Sequence, residues 1–127
     1  MRILVIEDNQ EVARQIRTTL EQGLFVVDTA YDGEEGWFLG DTEDYDVVIL
    51  DLGLPKMDGW QVFEELRKRA STRDIPIIVL TAHVVDHEHW AERLGEGDAF
   101  MAKPFLPDDL RHRIESLLAH AAAVNSR

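Results

Sequence analysis

A doubly wound α/β fold, (βα)5, with five parallel strands and helices on both faces, is predicted by three observations on the 127 residues. Short β-branched apolar runs recur along the chain, amphipathic stretches separate them, and polar residues follow directly after four of the five runs. The first run, Ile3 to Ile6, ends at Glu7 and Asp8. Val12, Ile16 and Leu20 then recur at i, i+4 and i+8, the spacing of one helical face. Phe25 to Ala30 is the second run. Val47 to Leu50 is the third and ends at Asp51; Val62, Phe63 and Leu66 after it return to helical spacing. Ile77 to Leu80, the fourth, ends at Thr81. Ala99 to Ala102, the weakest, ends at Lys103. A last helix starts after Pro107, which suits a first turn, with Asp108 and Asp109 complementing its positive end and Leu110, Ile114, Leu117 and Leu118 on its buried side. Gly23, Gly40, Gly59 and Gly95 are expected at helix ends or turns. The length allows one domain, placed at residues 1–119; residues 120–127 lose the apolar face and read as a helix end or the start of a linker.

Thirteen Lys and Arg against 25 Asp and Glu give a net charge of −12. Such a chain lacks the basic footprint that a phosphate backbone or an anionic membrane selects, so no direct nucleic-acid or membrane contact is expected. With 45% hydrophobic residues the composition is globular. No cysteine is present, which excludes disulfides, thiolate catalysis and Cys-based zinc sites. The longest apolar stretch without Asp, Glu, Lys or Arg, Ile75 to Val85, is about half of the ~20 residues of a transmembrane helix. The start lacks the apolar core of a signal peptide, and a cytoplasmic location is expected.

The chemistry falls at the strand ends. In an open α/β sheet the carboxyl ends of the strands border one crevice, so Glu7, Asp8, Asp51, Thr81 and Lys103 are expected to meet there. Taken singly, each acidic residue also reads as a helix N-cap, Thr81 as a turn residue and Lys103 as a solvated charge. Capping does not explain a cluster at four strand ends. Three carboxylates against one ammonium leave negative charge that calls for a cation. An all-oxygen donor set with room for water suits Mg²⁺. Carboxylates, Mg²⁺, a lysine and a hydroxyl together suit phosphoryl transfer, with one carboxylate as acceptor. Asp51, alone at a central strand end, is the candidate acceptor; the adjacent Glu7 and Asp8 suit the metal.

The stretches ILVIEDN (3–9), VVILDLGLPKMDG (47–59), IPIIVLTA (75–82) and FMAKPF (100–105), in this order, resemble the CheY-like receiver domain of a bacterial two-component response regulator. The resemblance runs from Arg2 to about Ala119, and the DLGLP stretch is most similar to the OmpR/PhoB-like, winged-helix subfamily. It implies a flavodoxin-like strand order 2-1-3-4-5 and a switch that catalyses its own phosphorylation and dephosphorylation at Asp51, with a sensor histidine kinase as donor. Asp8, Asp51 and the Gly53 carbonyl would hold Mg²⁺ or Mn²⁺, with Glu7 acting through a water. Lys103 would pair with Asp51 at rest and later with a phosphate oxygen, Thr81 would bond another oxygen, and the Lys103–Pro104 peptide would be cis. Phe100 matches the switch aromatic; a fixed core aromatic is the alternative. The fourth helix, fifth strand and fifth helix would form the output face, and kinases would dock near Glu11, Gln15, Phe105 and Leu106. Output would be transcription through a DNA-binding domain outside this chain, or, alternatively, action of a stand-alone receiver on a protein partner.

The chain departs from the subfamily at the face implied for a homodimer, where Asp98 precedes Ala99 and His89 stands where Arg is usual; Asp109 and Arg113 keep opposite charges at i, i+4. The segment HVVDHEHW suggests a His83/His87 metal site or, more simply, solvated histidines; HEHWA lacks the second His of HExxH. Trp90 and Leu94 are expected on the inner face of that helix. A haloacid-dehalogenase-like phosphatase would need a second Asp where Gly53 stands, and an FMN-binding flavodoxin would not place Glu7-Asp8-Asn9 against phosphate.

Overall fold

Each apolar run of the sequence forms a strand, and the strands alternate their side chains between two cores. The computed structural model describes residues 1–54, 57–82, 94–95 and 97–125. Strands β1 (Arg2–Ile6), β2 (Val26–Ala30), β3 (Val47–Asp51), β4 (Ile77–Thr81) and β5 (Ala99–Ala102) form one parallel sheet in the order β2-β1-β3-β4-β5. Helices α1 (Gln10–Gln22), α2 (Gly33–Thr42), α3 (Gly59–Lys68) and a C-terminal helix (Pro107–Asn125) cover it. The predicted α/β class and strand order are those observed.

Because successive side chains on a strand point to opposite faces, Ile3, Val5, Val47, Ile49, Ile78 and Leu80 pack with α1 and the C-terminal helix. Leu4, Ile6, Val48, Leu50, Ile77 and Val79 pack on the other face with Val62, Phe63 and Leu66 of α3. β1, β3 and β4 are almost wholly buried, as expected of parallel strands covered on both sides.

Local chemistry starts the helices. Asn9 accepts from the backbone N–H of Glu11 and Val12 at the start of α1, Asp32 caps α2, and Asp58 with Gln61 forms a reciprocal capping box on α3. The caps are therefore Asn9, Asp32 and Asp58, and the capping alternative for Glu7, Asp8 and Asp51 falls away.

Gly40 is not at a helix end, as expected from the sequence, but inside α2. A Cβ there would lie 2.8 Å from Leu66, and one on Gly36 2.6 Å from Ile6, so glycines let this helix lie close on the sheet and on α3. The C-terminal helix continues past His120 to Asn125. His83, Asp86, His87, His89 and Trp90 lie outside the described residues; Leu94 packs against the α3-side core. Among the described residues no helix is long and apolar enough to cross a membrane.

Candidate functional site

Strand register brings the polar residues together. Ile6 pairs with Leu50, Asp51 with Leu80 and Thr81 with Ala102, so Glu7 follows β1 at the level of Asp51, and Lys103 follows β5 one step beyond Thr81. Backbone bonds extend these registers past the strands: Glu7 N–H donates to Ala30 O at 2.9 Å, Leu52 N–H to Leu80 O at 3.0 Å, and Lys103 N–H to Thr81 O at 2.8 Å. The Lys103–Pro104 peptide is cis.

Carboxylate oxygens of Glu7, Asp8 and Asp51 lie within 4.8 Å of one another. Their environments differ. Glu7 and Asp51 are buried and Asp8 is exposed, so the cluster is deep at one end and open to solvent at the other. Thr81 is 2% exposed at the neighbouring strand end. Gly53 has no side chain to cover the entrance, and among the described residues a Cβ there would meet only Asp51 Oδ2, at 3.8 Å.

The Lys103 ammonium bridges the two buried acids, with Nζ 2.5 Å from Glu7 Oε1 and 3.2 Å from Asp51 Oδ1. The expected resting pair of Lys103 with Asp51 is present, and Glu7 adds a second, shorter contact that the sequence reading did not include. Glu7 is the deeper carboxylate, and a buried anion requires a direct partner. Burial, followed by hydrogen bonding to Asp51, pushes the Glu7 carboxyl up to about 7, against the pull of Lys103. Burial opposes charge on Lys103 as well, but Glu7 and Asp51 outweigh it and hold the ammonium above its usual range. One cation shared by two buried acids beside a third, solvated one leaves net negative charge in an all-oxygen cleft. That donor set fits a hard divalent cation, which Asp8 and Asp51 would hold.

Phe100 is half-buried against the α3-side core and, with Met101, Asp109 and Arg113, borders a groove between β5 and the C-terminal helix. The ion pair in the first turn of that helix is Arg111–Asp108, at 2.9 Å. Asp98, expected on a dimer face, instead points inward. Its side chain is 2% exposed and ion-paired with Arg67, because three donors inside the molecule claim its two oxygens. A second groove of about 400 Å³ opens beside Lys103 between α1 and the C-terminal helix, lined by Gln15, Ile16, Thr19, Phe105 and Leu110. The sequence reading missed the Lys103–Glu7 contact and the Arg67–Asp98 pair. Neither has a local signal, since their partners lie 96 and 31 residues apart.

Comparison with known proteins adds independent findings. The family model for the response regulator receiver domain matches residues 3–115. The transcriptional regulatory protein CusR of Escherichia coli K12 is 36% identical over 125 residues, covering 98% of this chain and 54% of CusR. The cell cycle response regulator CtrA of Brucella ovis is 40% identical over 129 residues, covering 98% of this chain and 54% of CtrA. The chain thus spans about half the length of the curated relatives it matches. Among solved structures, the receiver domain of a sensor histidine kinase from Pseudomonas aeruginosa PAO1, with a magnesium ion coordinated in its active site cleft, superimposes with a TM-score of 0.84 at 28% identity over 93% of this chain and 97% of that one. The response regulator TrrA from Thermotoga maritima, in complex with Mg²⁺ and BeF, gives a TM-score of 0.81 at 30% identity over 91% of this chain and 97% of that one.

Proposed function

Because the chain belongs to the response regulator receiver family, we propose that it is a phospho-acceptor switch in which Asp51 takes a phosphoryl group from the phosphohistidine of a sensor kinase. The observation that carries this reading is the single ammonium of Lys103 held between Glu7 and Asp51, with Asp8 open to solvent beside them. An Asp51 carboxylate oxygen attacks phosphorus, the P–N bond to the kinase histidine breaks, and the imidazole leaves. Asp8, Asp51 and the Gly53 carbonyl are the residues suited to hold Mg²⁺ or Mn²⁺, and the magnesium in the active site cleft of one receiver neighbour and in the TrrA complex supports the choice of ion. The cation supplies neutralisation of the charge that builds on the phosphoryl oxygens.

The chain's own residues do the rest. Lys103, already 3.2 Å from Asp51, is placed to pair with one phosphoryl oxygen, and the Thr81 hydroxyl at the adjacent strand end with another. Glu7 holds the lysine by its second contact. Phosphorylation adds about −1.5 to −2 charges, which biases Thr81 and Phe100 toward a second arrangement of the β5 face. The groove at Gln15 and Phe105 fits the kinase contact, since it opens directly beside Lys103. Residues 1–119 form the receiver unit, and transcription through a DNA-binding partner domain is the output that the CusR relative, a transcriptional regulatory protein, favours. Homodimerisation through β5 and the C-terminal helix would draw on Asp109 and Arg113, together with His89 of the sequence reading, rather than on Asp98.

Incubation with acetyl phosphate and Mg²⁺ tests the reading by intact-mass measurement. One added phosphoryl group is expected on the parent chain and none on Asp51→Ala. An unmodified parent, or a modified Asp51→Ala, would sink the mechanism.

A further inference from the structure

The Arg67–Asp98 pair lies at the opposite end of β5 from Lys103 and ties together five pieces of chain. Arg67, near the end of α3, donates through Nη1 to the carbonyls of Arg73 and Ile75, both at 2.9 Å, and through Nη2 to Asp98 Oδ1; its guanidinium also lies over the Phe63 ring, 5.2 Å from the centroid. Asp98 Oδ1 further accepts from Ile77 N–H at 2.9 Å, where β4 begins, and Oδ2 accepts from Gly95 N–H at 3.0 Å. The carboxylate is nearly sealed from water, at 2% exposure, so these bonds are poorly screened.

Position along the chain gives the pair its reach. Asp98 directly precedes β5, and Lys103 directly follows it. β5 is an edge strand, laddered to β4 through four residue pairs on one side alone and only partly buried. Beyond that short ladder, its placement along β4 depends on its two ends. One end is the Lys103 N–H to Thr81 O bond, inside the site; the other is Asp98. A four-residue extended strand is stiff along its axis, so a displacement at Asp98 reaches the lysine. We propose that Arg67 and Asp98 are positioning residues for Lys103: by pinning the start of β5 to α3 and β4, they set where the ammonium stands relative to Asp51.

This inference rests on the phospho-acceptor reading, and its test separates the two. Glu7 and Asp8 sit in the loop after β1 and Asp51 ends β3, none of which Arg67 or Asp98 touches; because the Lys103 ammonium competes with Mg²⁺ for Glu7 and Asp51, moving it away leaves Mg²⁺ affinity unchanged or tighter. Affinity for beryllofluoride, a phosphoryl mimic that needs Lys103 and Thr81, falls instead. The variants are Asp98→Asn, the double Arg67→Met/Asp98→Asn, which leaves no buried charge unpaired, and Arg67→Lys, which keeps the charge without the guanidinium fork. Calorimetric titration with Mg²⁺ alone, then with beryllofluoride in excess Mg²⁺, follows confirmation by urea denaturation that each sample is folded.

The expected result is Mg²⁺ affinity unchanged or tighter, beryllofluoride binding weaker by about tenfold or more, the scale on which a misplacement of about an ångström acts, and partial recovery in Arg67→Lys. Equal losses for both ligands would show a merely structural pair and overturn the proposal, as would beryllofluoride binding that matches the parent. A parent chain that binds Mg²⁺ but no beryllofluoride would overturn the phospho-acceptor reading and this proposal with it.

Discussion

Replacing Glu7 by Gln removes one buried ionisable group while keeping its shape, and the consequence is a change in how stability depends on pH. Burial and Asp51 raise the Glu7 carboxyl from 4.5 to about 7. A carboxyl whose value is raised on folding holds its proton more tightly in the native state, so its contribution to stability is complete below about pH 4.5 and is lost as pH rises through about 7. At about 1.36 kcal/mol per pH unit the ceiling is roughly 3 kcal/mol, and screening through the solvated mouth at Asp8 reduces it to about 1–2 kcal/mol. Gln cannot ionise, and Lys103, which Asp51 also helps to hold above its usual range, stays charged in both proteins across this pH window. The stability of the parent relative to Glu7→Gln should therefore fall by about 1–2 kcal/mol between pH 4.5 and pH 8.

Urea denaturation in a chelator, followed by tryptophan fluorescence and circular dichroism, measures that gap. With a urea dependence of about 2 kcal/mol per molar, the middle of the range for small domains, it amounts to a relative midpoint shift of about 0.5–1 M. Adding Mg²⁺ should stabilise the parent more at pH 8 than at pH 5, because cation and proton compete for the same carboxylates. A gap that stays constant with pH, or that changes in the opposite direction, would refute the argument that Glu7 is buried in an acidic cluster.

Three further outcomes follow from contacts. Lys103→Gln leaves Glu7 and Asp51 facing each other without a cation and should cost about 2–3 kcal/mol at pH 8 and less at pH 5, where Glu7 takes up a proton, as read by urea denaturation at the two pH values. Gly36→Ala places a Cβ 2.6–2.8 Å from the fully buried Ile6 side chain and should lower stability by about 1–3 kcal/mol despite the better helix propensity. Gly97→Ala, with nothing among the described residues within 4 Å, is the control; thermal melts of the two glycine variants should place it within about 0.5 kcal/mol of the parent. Leu24→Asn should raise the melting midpoint by the equivalent of about 0.5 kcal/mol, because Leu24 holds φ 68° with its side chain 90% exposed, and Asn tolerates that conformation better.

Legibility tracked the range of the interaction. The strands were readable because a buried parallel strand demands an unbroken apolar run, and Ile3 to Ile6 or Ile77 to Leu80 satisfies little else. The first and third helices showed in spacing. The second, Gly33–Thr42, has no apolar stripe to find: its buried positions are Gly33, Gly36 and Gly40, and a glycine that serves close packing looks in sequence like one that ends a helix. Asp98 misled for a related reason. An acidic residue before a short edge strand has the same local sequence whether it faces solvent or is claimed by Arg67 from another element.

From the sequence alone came the fold class, the strand order through the family resemblance, and the five polar residues Glu7, Asp8, Asp51, Thr81 and Lys103 at strand ends. Periodicity and strand-end position are properties of the chain over a few residues, and burial on both faces leaves them no freedom. Tertiary structure decided how those residues divide the charge. Lys103 goes to the deepest carboxylate as well as to Asp51, Asp8 is left to the solvent side, and the far end of β5 is tied to α3. Which ion pairs with which depends on relative burial and on distances across the sheet, quantities that exist only once the strands have assembled.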